Sequence, residues 1–112
     1  LSVCYINNMI EKVIHSILEP NRREILNLLR NGELSSSEIA LHFHISAPAI
    51  SQHLKVLESS GLVVVRKEGT KRFYRIRREG FKELKQYLDS FWDDSLMLLK
   101  EAAEAEERRK HE

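Results

Sequence analysis

The hydrophobic spacing of this 112-residue chain changes twice, and these changes restrict the folds that it can adopt. Up to Gly61, apolar residues recur every three or four positions, which is the period of a helix. Residues 62–65 are a β-branched run too short for a helix, and residues 71–77 show the alternation of a strand. Helical spacing returns after Gly80. We therefore predict a mainly α-helical fold with a small β-hairpin, in a single domain of residues 1–112.

Pro20 separates the first two predicted helices. The first covers residues 7–18, because the residue before a proline is driven towards extended geometry. Pro20 can itself begin the second helix, since its missing N–H costs nothing there. Asn31-Gly32 is a typical end for that second helix.

Serine residues mark the starts of the next two predicted helices. Ser35 and Glu38 have the spacing of a capping box, which begins a short helix at about residues 36–43. Ser46 caps a fourth helix, which ends at Gly61. These signals therefore predict a short helix, a tight turn and a longer helix.

A hairpin and a long helix complete the chain. Residues 62–77 are predicted to form two strands joined by a turn at residues 68–70. Residues 80–107 form the last predicted helix, and the charged segment 101–112 is expected to fray. With the helix-turn-helix of residues 35–60, these elements follow the order of a winged helix-turn-helix.

The net charge of +1 conceals an asymmetry along the chain. Residues 1–87 carry a net charge of +5, whereas residues 88–112 carry −4. Residues 66–78 alone hold seven basic side chains and one acidic side chain. Such a distribution indicates a nucleic-acid-binding surface together with an acidic end.

Cys4 is the single cysteine, so one chain can form neither a disulfide nor a cluster of thiolate metal ligands. We therefore expect a reducing, cytoplasmic location. A contact between the Cys4 residues of two chains stays open. No apolar run approaches the ~18 residues that a membrane span requires, so we expect no membrane partner.

Several separated segments resemble the ArsR/SmtB-type bacterial transcriptional repressors. They are residues 17–26 (ILEPNRREIL), 32–34 with 38–40, 46–57 (SAPAISQHLKVL), 61–63 and 74–76. The resemblance covers about residues 9–78. It implies a homodimer that binds a palindromic site on double-stranded DNA in a bacterial or archaeal cytoplasm.

The fourth helix is the predicted recognition helix. A helical wheel puts Ala47, Ile50, Leu54 and Leu57 on one face, with small and polar side chains opposite. The N-terminal end of such a helix enters the major groove. Gln52 can read adenine, because its amide donates and accepts in one plane. The predicted DNA contacts on this helix are Ser46, Pro48, Ser51, Gln52, His53 and Lys55.

The other predicted contacts of the recognition helix differ in chemistry. Lys55 can meet a phosphate or a guanine, and Ser46 and Ser51 can bind phosphate. His53 lies at the edge of the buried face. Packing within the chain and contact with DNA both stay open for its imidazole.

The hairpin is the predicted wing. Four residues surround its tip and are predicted to follow DNA phosphates or to enter the minor groove: Lys67, Thr70, Lys71 and Arg72. The remaining basic residues of the cluster lie further along the strands and need not reach DNA. They are Arg66, Arg75, Arg77 and Arg78.

The first and last helices are the predicted dimer interface, because the last helix carries a wider apolar stripe than a small domain usually covers. A helix folded back on its own core is the alternative. The predicted interface residues are Met9, Val13, Ile17, Phe81, Leu84, Leu88, Phe91, Trp92, Leu96 and Leu99.

The residues present do not support a metal or cofactor site. Where the thiolate-type sensors of the family place cysteines, this chain has Ser35 and Ser37, whose hydroxyls are poor ligands for soft metals. The last helix offers aspartates but no histidine before His111. His42 and His44 do not share a helical face. We therefore expect no metal and no cofactor, and no effector is identified.

The sequence favours a sequence-specific transcriptional regulator, and in particular a repressor. Two alternatives stay open: a winged-helix module that binds another protein, and a repressor controlled by a small molecule. We expect no enzyme, because the sequence has no Gly-rich phosphate loop, no metal quartet and no evident nucleophile with its base.

Overall fold

The computed structural model describes residues 3–111, with side chains at residues 8–91 and 97–111. The chain divides into two compact units after Lys82, and the second unit contains the remainder of the last helix. The elements in chain order are α1 (Val3–Leu18), α2 (Pro20–Leu29), β1 (Leu34–Ser35), α3 (Ser36–Ala40), α4 (Ala47–Ser59), β2 (Val63–Glu68), β3 (Lys71–Ile76) and α5 (Arg78–Lys110).

The predicted hairpin is part of a three-stranded antiparallel sheet with the order β1-β3-β2. Strand β1 pairs Leu34 with Tyr74 and Ser35 with Phe73. The sequence analysis missed β1, because two residues are too few to show a strand period. The prediction of a mainly helical fold with a small β-hairpin is confirmed.

The core of the first unit lies between the helices and one face of this sheet. Helix α4 supplies Ile50, Leu54 and Leu57, which are at most 2% exposed. Because these residues recur at helical spacing, one side of α4 is buried and the other remains available to a partner. The other core residues of this unit include Ile25, Leu26, Leu29, Ile39, Leu62, Val63 and Tyr74.

Gly61 and Gly80 lie against each other where the hairpin begins and α5 starts. Gly61 has a φ of +80°, as its predicted role in ending α4 requires. A Cβ atom on Gly80 would collide with the carbonyl oxygen of Gly61. The backbone N–H of Arg77 also donates to the carbonyl of Leu62 at 2.9 Å. These contacts fix the hairpin relative to the first turn of α5.

Boundaries of α1, α3 and α5 differ from the sequence prediction. Helix α1 begins at Val3 rather than residue 7. Helix α3 ends at Ala40 rather than at residue 43, because the N–H groups of His42 and Phe43 bond to carbonyls only three residues back.

Helix α5 begins at Arg78, two residues earlier than predicted, and it extends to Lys110. The helix is therefore continuous through residues 101–110, the segment in which fraying was expected. Pairs between Arg109 and Glu106, and between His111 and Glu107, connect side chains one turn apart in this segment. Within the described residues, no helix is both long and apolar enough to cross a membrane.

Candidate nucleic-acid interface

Six residues, 41–46, connect α3 to α4 and form the turn of a helix-turn-helix. The hydroxyl of Ser46 accepts a hydrogen bond from the N–H of Ala49 at 3.2 Å, and Pro48 lies in the first turn of α4. The Ser46 cap was expected from the sequence. Both features fix the start of α4, which is the end that enters the major groove in this motif.

The outer face of α4 is polar and accessible. Its exposed side chains include Pro48, Ser51, Gln52 and Lys55, as the helical wheel predicted. Ala47 is also exposed, so its predicted place on the buried face is wrong. The first turn of α4 extends beyond the edge of the core, where the helical period no longer implies burial.

His53 differs from the exposed predicted contacts on α4, because its side chain contacts residues of another helix. Its Nδ1 lies 3.3 Å from Nη1 of Arg22 and 3.9 Å from Oε2 of Glu19. Its side chain is 18% exposed. The structure therefore supports the packing alternative for His53, and a DNA contact at this residue stays a prediction.

The wing turns over two residues, Gly69 and Thr70, between the paired residues Glu68 and Lys71. Gly69 has a φ of +62°, whereas no described residue other than glycine has a positive φ. Glycine at the first central position with a positive φ is the arrangement of a type II′ turn, whose twist matches that of a hairpin. The turn projects the tip of the wing into solvent.

The pleat of the sheet separates the cations at the wing tip. Lys67 lies opposite Arg72, two positions along the strands from the Val65–Tyr74 pair, so both pairs point to the same side of the sheet. Tyr74 is buried on that side. Lys67 and Arg72 therefore lie on the core-facing side of the sheet. Lys71 lies on the other side, opposite Glu68. All of these cations are exposed.

Arg66 is held by carboxylates. Its Nη2 donates to Oε1 of Glu33 at 2.7 Å, and its Nη1 donates to Oε2 of Glu68 at 2.7 Å. Its guanidinium also covers the ring of Phe73 at 4.6 Å. The Arg66 hydrogen bond lowers the pKa of the Glu33 carboxyl, and the two carboxylates raise the pKa of Arg66.

Arg77 also bonds within the chain, because its Nη1 donates to the carbonyl of Gly61 at 3.2 Å. Together with Arg66, it accounts for two of the seven basic residues in the cluster. Arg66 and Arg77, which hold the hairpin, therefore differ from Lys67, Lys71 and Arg72, which are exposed at its tip.

The predicted dimer residues differ in how much of each remains exposed in one chain. Val13 and Leu84 are buried, at 5% and 8% exposed, so little of either remains for a partner. Met9, Ile17 and Phe81 are half-buried, and Leu88, Phe91 and Leu99 are exposed. Trp92 and Leu96 lie outside the residues whose side chains are described. Leu18, Met97 and Leu98, which were not among the predicted residues, are exposed as well.

Among the described residues, no three metal-ligating side chains of His, Cys, Asp or Glu come together. Ser35 and Glu38 instead form the predicted capping box, with the Ser35 hydroxyl accepting from the Glu38 N–H at 3.1 Å. The Glu38 carboxylate accepts from the Ser35 N–H at 3.0 Å. This backbone hydrogen bond is the main cause of a lowered pKa at Glu38.

Two residues with a positional role were not singled out from the sequence. Arg22 was visible only as part of the segment at residues 17–26, and burial of its charge could not be read from spacing. Glu33 lies in the loop before β1, far in sequence from its partner Arg66. Only the folded hairpin brings the two together.

A protein-family model described as "Bacterial regulatory protein, arsR family" matches residues 19–65. An HTH-type transcriptional regulator of Mycobacterium tuberculosis is 37% identical over 86 residues, which are 77% of this chain and 80% of that protein. An arsenical resistance operon repressor of Staphylococcus xylosus is 38% identical over 77 residues, which are 69% of this chain and 74% of that protein.

A solved structure shows the same architecture in an assembled state. It is the homodimeric winged helix-turn-helix DNA-binding domain of a possible ArsR-family transcriptional regulator from Mycobacterium bovis. The TM-score is 0.66 at 29% sequence identity, and the match covers 84% of this chain and 89% of that one.

Proposed function

The chain belongs to the ArsR family of bacterial transcriptional regulators, and from this membership we propose that it is a repressor that binds a palindromic DNA site as a homodimer. The observation that carries the proposal is the polar outer face of α4 beside the exposed cations of the wing. A recognition helix and a wing with this chemistry fit a major groove and its flanking phosphates.

Base reading is assigned to the first three turns of α4. Gln52 can form a bidentate pair with adenine, and Lys55 one turn later can reach a guanine or a phosphate. We propose that Ser46 and Ser51 contact phosphates. These contacts fix the orientation of the helix, whereas the pair made by Gln52 distinguishes bases.

Two copies are required for the proposed site. A two-fold axis would place the recognition helices about 34 Å apart, so that they meet successive major grooves on one side of the DNA. The homodimeric relative from Mycobacterium bovis supports this assembly. We assign the interface to α1 and to the exposed apolar residues of α5.

A dimer bound in this way covers promoter DNA and excludes polymerase, which is the physical basis of repression. We propose that this activity takes place in the cytoplasm, where the DNA of a bacterial cell lies. No cofactor or reaction is part of the proposed function.

Selection of bound sequences from a random DNA pool tests the proposal directly. We expect a palindrome whose half-sites are separated by one helical turn. On the selected site, log K should fall with log[salt] with a slope of roughly −5 to −9, because each neutralised phosphate contributes about −0.9. Random DNA of equal length is the control.

Two outcomes would contradict the proposal. An affinity that does not depend on salt would exclude phosphate binding by the wing. Failure to enrich any sequence would exclude specific recognition, and it would favour the winged-helix protein-interaction module instead.

A further inference from the structure

Arg22 places a guanidinium at the junction of three helices. It is only 9% exposed, and it lies in the first turn of α2. Its Nε donates to the carbonyl of Ser16 in α1 at 2.7 Å, and its Nη2 donates to the carbonyl of His15 at 3.4 Å. Its Nη1 faces Nδ1 of His53 in α4 at 3.3 Å. A single side chain therefore joins the end of α1 to the recognition helix.

The backbone of Arg22 is fixed as well. Glu19 is the N-cap of α2, and its Oε2 accepts the N–H of Arg22 at 2.9 Å. The carbonyls of Ser16 and His15 belong to the last turn of α1, where carbonyl groups lack partners within the helix. Arg22 satisfies two of them. The guanidinium is therefore oriented before it reaches α4.

The contact with His53 is directional. An arginine guanidinium can only donate, so Nδ1 of His53 must accept the hydrogen bond, and the ring proton of a neutral imidazole is then on Nε2. His53 directly follows Gln52, the proposed base-reading residue. A change in the position of the His53 side chain therefore rotates or shifts Gln52 relative to the major groove.

We propose that the Arg22–His53 contact is a positioning contact, which fixes the recognition helix relative to the end of α1. We further propose that discrimination between DNA bases depends on this contact. The inference rests on the proposed function, because it concerns how α4 meets DNA. Neither residue needs to contact a base. Both act through the placement of Gln52.

Positioning and simple stabilisation have different consequences. A bidentate pair between an amide and a base is lost when its atoms move by a few tenths of an ångström, because hydrogen bonds weaken steeply with distance and angle. Attraction between the wing and phosphates acts over a Debye length of about 10 Å and tolerates such shifts. Loss of the contact should therefore reduce specific binding far more than random binding.

Two variants of His53 provide the test while Arg22 stays in place. His53→Asn retains an acceptor near the position of Nδ1, whereas His53→Leu has a similar volume but no acceptor. We expect His53→Leu to lower the ratio of affinities for selected and random DNA by about tenfold. His53→Asn should restore most of that ratio.

Arg22→Gln provides a second route to the same contact. It should lower the ratio in the wild-type background and have little further effect in the His53→Leu background, because the contact is already absent there. Thermal unfolding of every variant, without DNA, separates discrimination from stability. A variant that does not fold is replaced by Arg22→Lys, which keeps the charge but cannot reach both α1 and α4 as the planar guanidinium does.

The outcomes separate this inference from the proposed function. If the wild-type protein selects no sequence, the proposed function fails. If it selects a sequence and His53→Leu binds selected and random DNA with the wild-type ratio, the positioning contact is refuted. Equal ratios for His53→Leu and His53→Asn below the wild-type value would also refute it, because they would show that the accepting atom is irrelevant.

Discussion

At the residue scale, the basic cluster of the hairpin contains side chains with different roles. Arg66 is held between Glu33 and Glu68, and Arg77 bonds to a backbone carbonyl. Arg72 is exposed on the core-facing side of the wing. The sequence could predict that a basic cluster exists here. It could not predict which arginines are paired, because Glu33 is 33 residues from Arg66 and only the fold brings them together.

Replacing Arg72 with alanine should weaken binding to selected and random DNA alike, since phosphates carry no base identity. The slope of log K against log[salt] should become shallower by about 0.9, the value for one phosphate contact. Arg66→Ala removes the same formal charge from the same hairpin and is the matched control. Its slope should remain close to that of the wild type, because the carboxylates of Glu33 and Glu68 already neutralise Arg66. Equal changes in both slopes would show that overall charge, rather than contact, controls affinity.

Unlike Arg72→Ala, Gln52→Ala should mainly reduce selectivity between DNA sequences. Loss of one bidentate contact to a base should reduce discrimination between selected and mismatched DNA by ~1–3 kcal/mol. The affinity for random DNA should fall by less. Titrations of both DNAs at one salt concentration measure this difference. Ser59→Ala, on an exposed residue at the far end of α4, is the control. Equal losses on both DNAs would remove Gln52 from base reading.

At the element scale, the two helix starts that carry a serine cap, those of α3 and α4, were predicted correctly from the sequence, whereas the starts of α1 and α5 were not. The serine and glutamate of the α3 capping box and the serine cap of α4 are close in sequence, so their geometry follows from spacing alone. The end of α3 and strand β1 depend on the rest of the fold. In β1, Leu34 and Ser35 become a strand only because β3 is beside them.

The capping box should make part of the stability dependent on pH. Folding lowers the pKa of Glu38, chiefly through the hydrogen bond from the Ser35 N–H. Its contribution is therefore complete above the ordinary glutamate value of about 4.3, and it is lost as the pH falls through the lowered value. Glu38→Gln keeps a capping-box residue that does not titrate. Thermal unfolding should be measured from neutral to acid pH. The difference in stability between the wild type and Glu38→Gln should narrow or reverse in this acid range. A constant difference would contradict the assignment.

The Ser35 hydroxyl should account for the other half of the same cap. Ser35→Ala should destabilise the protein by about 1 kcal/mol, the usual cost of losing a serine N-cap. The pKa of Glu38 should rise only in part, since its hydrogen bond from the backbone N–H remains. Ser37→Ala, on an exposed residue of the same helix, is the control for chemical denaturation. Equal destabilisation by the two variants would show that the cap has no special role.

At the scale of the whole molecule, several apolar residues of α5 are exposed in the single chain and would be covered in the proposed dimer. The sequence predicted a wide apolar stripe, but periodicity could not show which of its members the chain itself buries. Leu84 is buried, whereas Leu88 and Phe91 are 45% and 58% exposed. The ring of Phe91 contacts only one described aromatic neighbour, Tyr87, at 5.1 Å between centroids. Exposed aromatic side chains at helical spacing are typical anchors of a protein interface.

Phe91→Glu should therefore dissociate the proposed dimer, because it places a charge on surface that the partner would desolvate. Analytical ultracentrifugation should show a monomer at concentrations where the wild type is a dimer, with little change in the thermal stability of the chain itself. Leu41→Glu is the matched control, since Leu41 is 85% exposed but lies in the turn before α4. It should remain a dimer. A monomeric Phe91→Glu protein should also bind an isolated half-site about as well as the wild type does, while losing the added affinity of the palindrome, because two half-sites then bind two independent chains. A dimer that persists in Phe91→Glu would move the interface away from this part of α5.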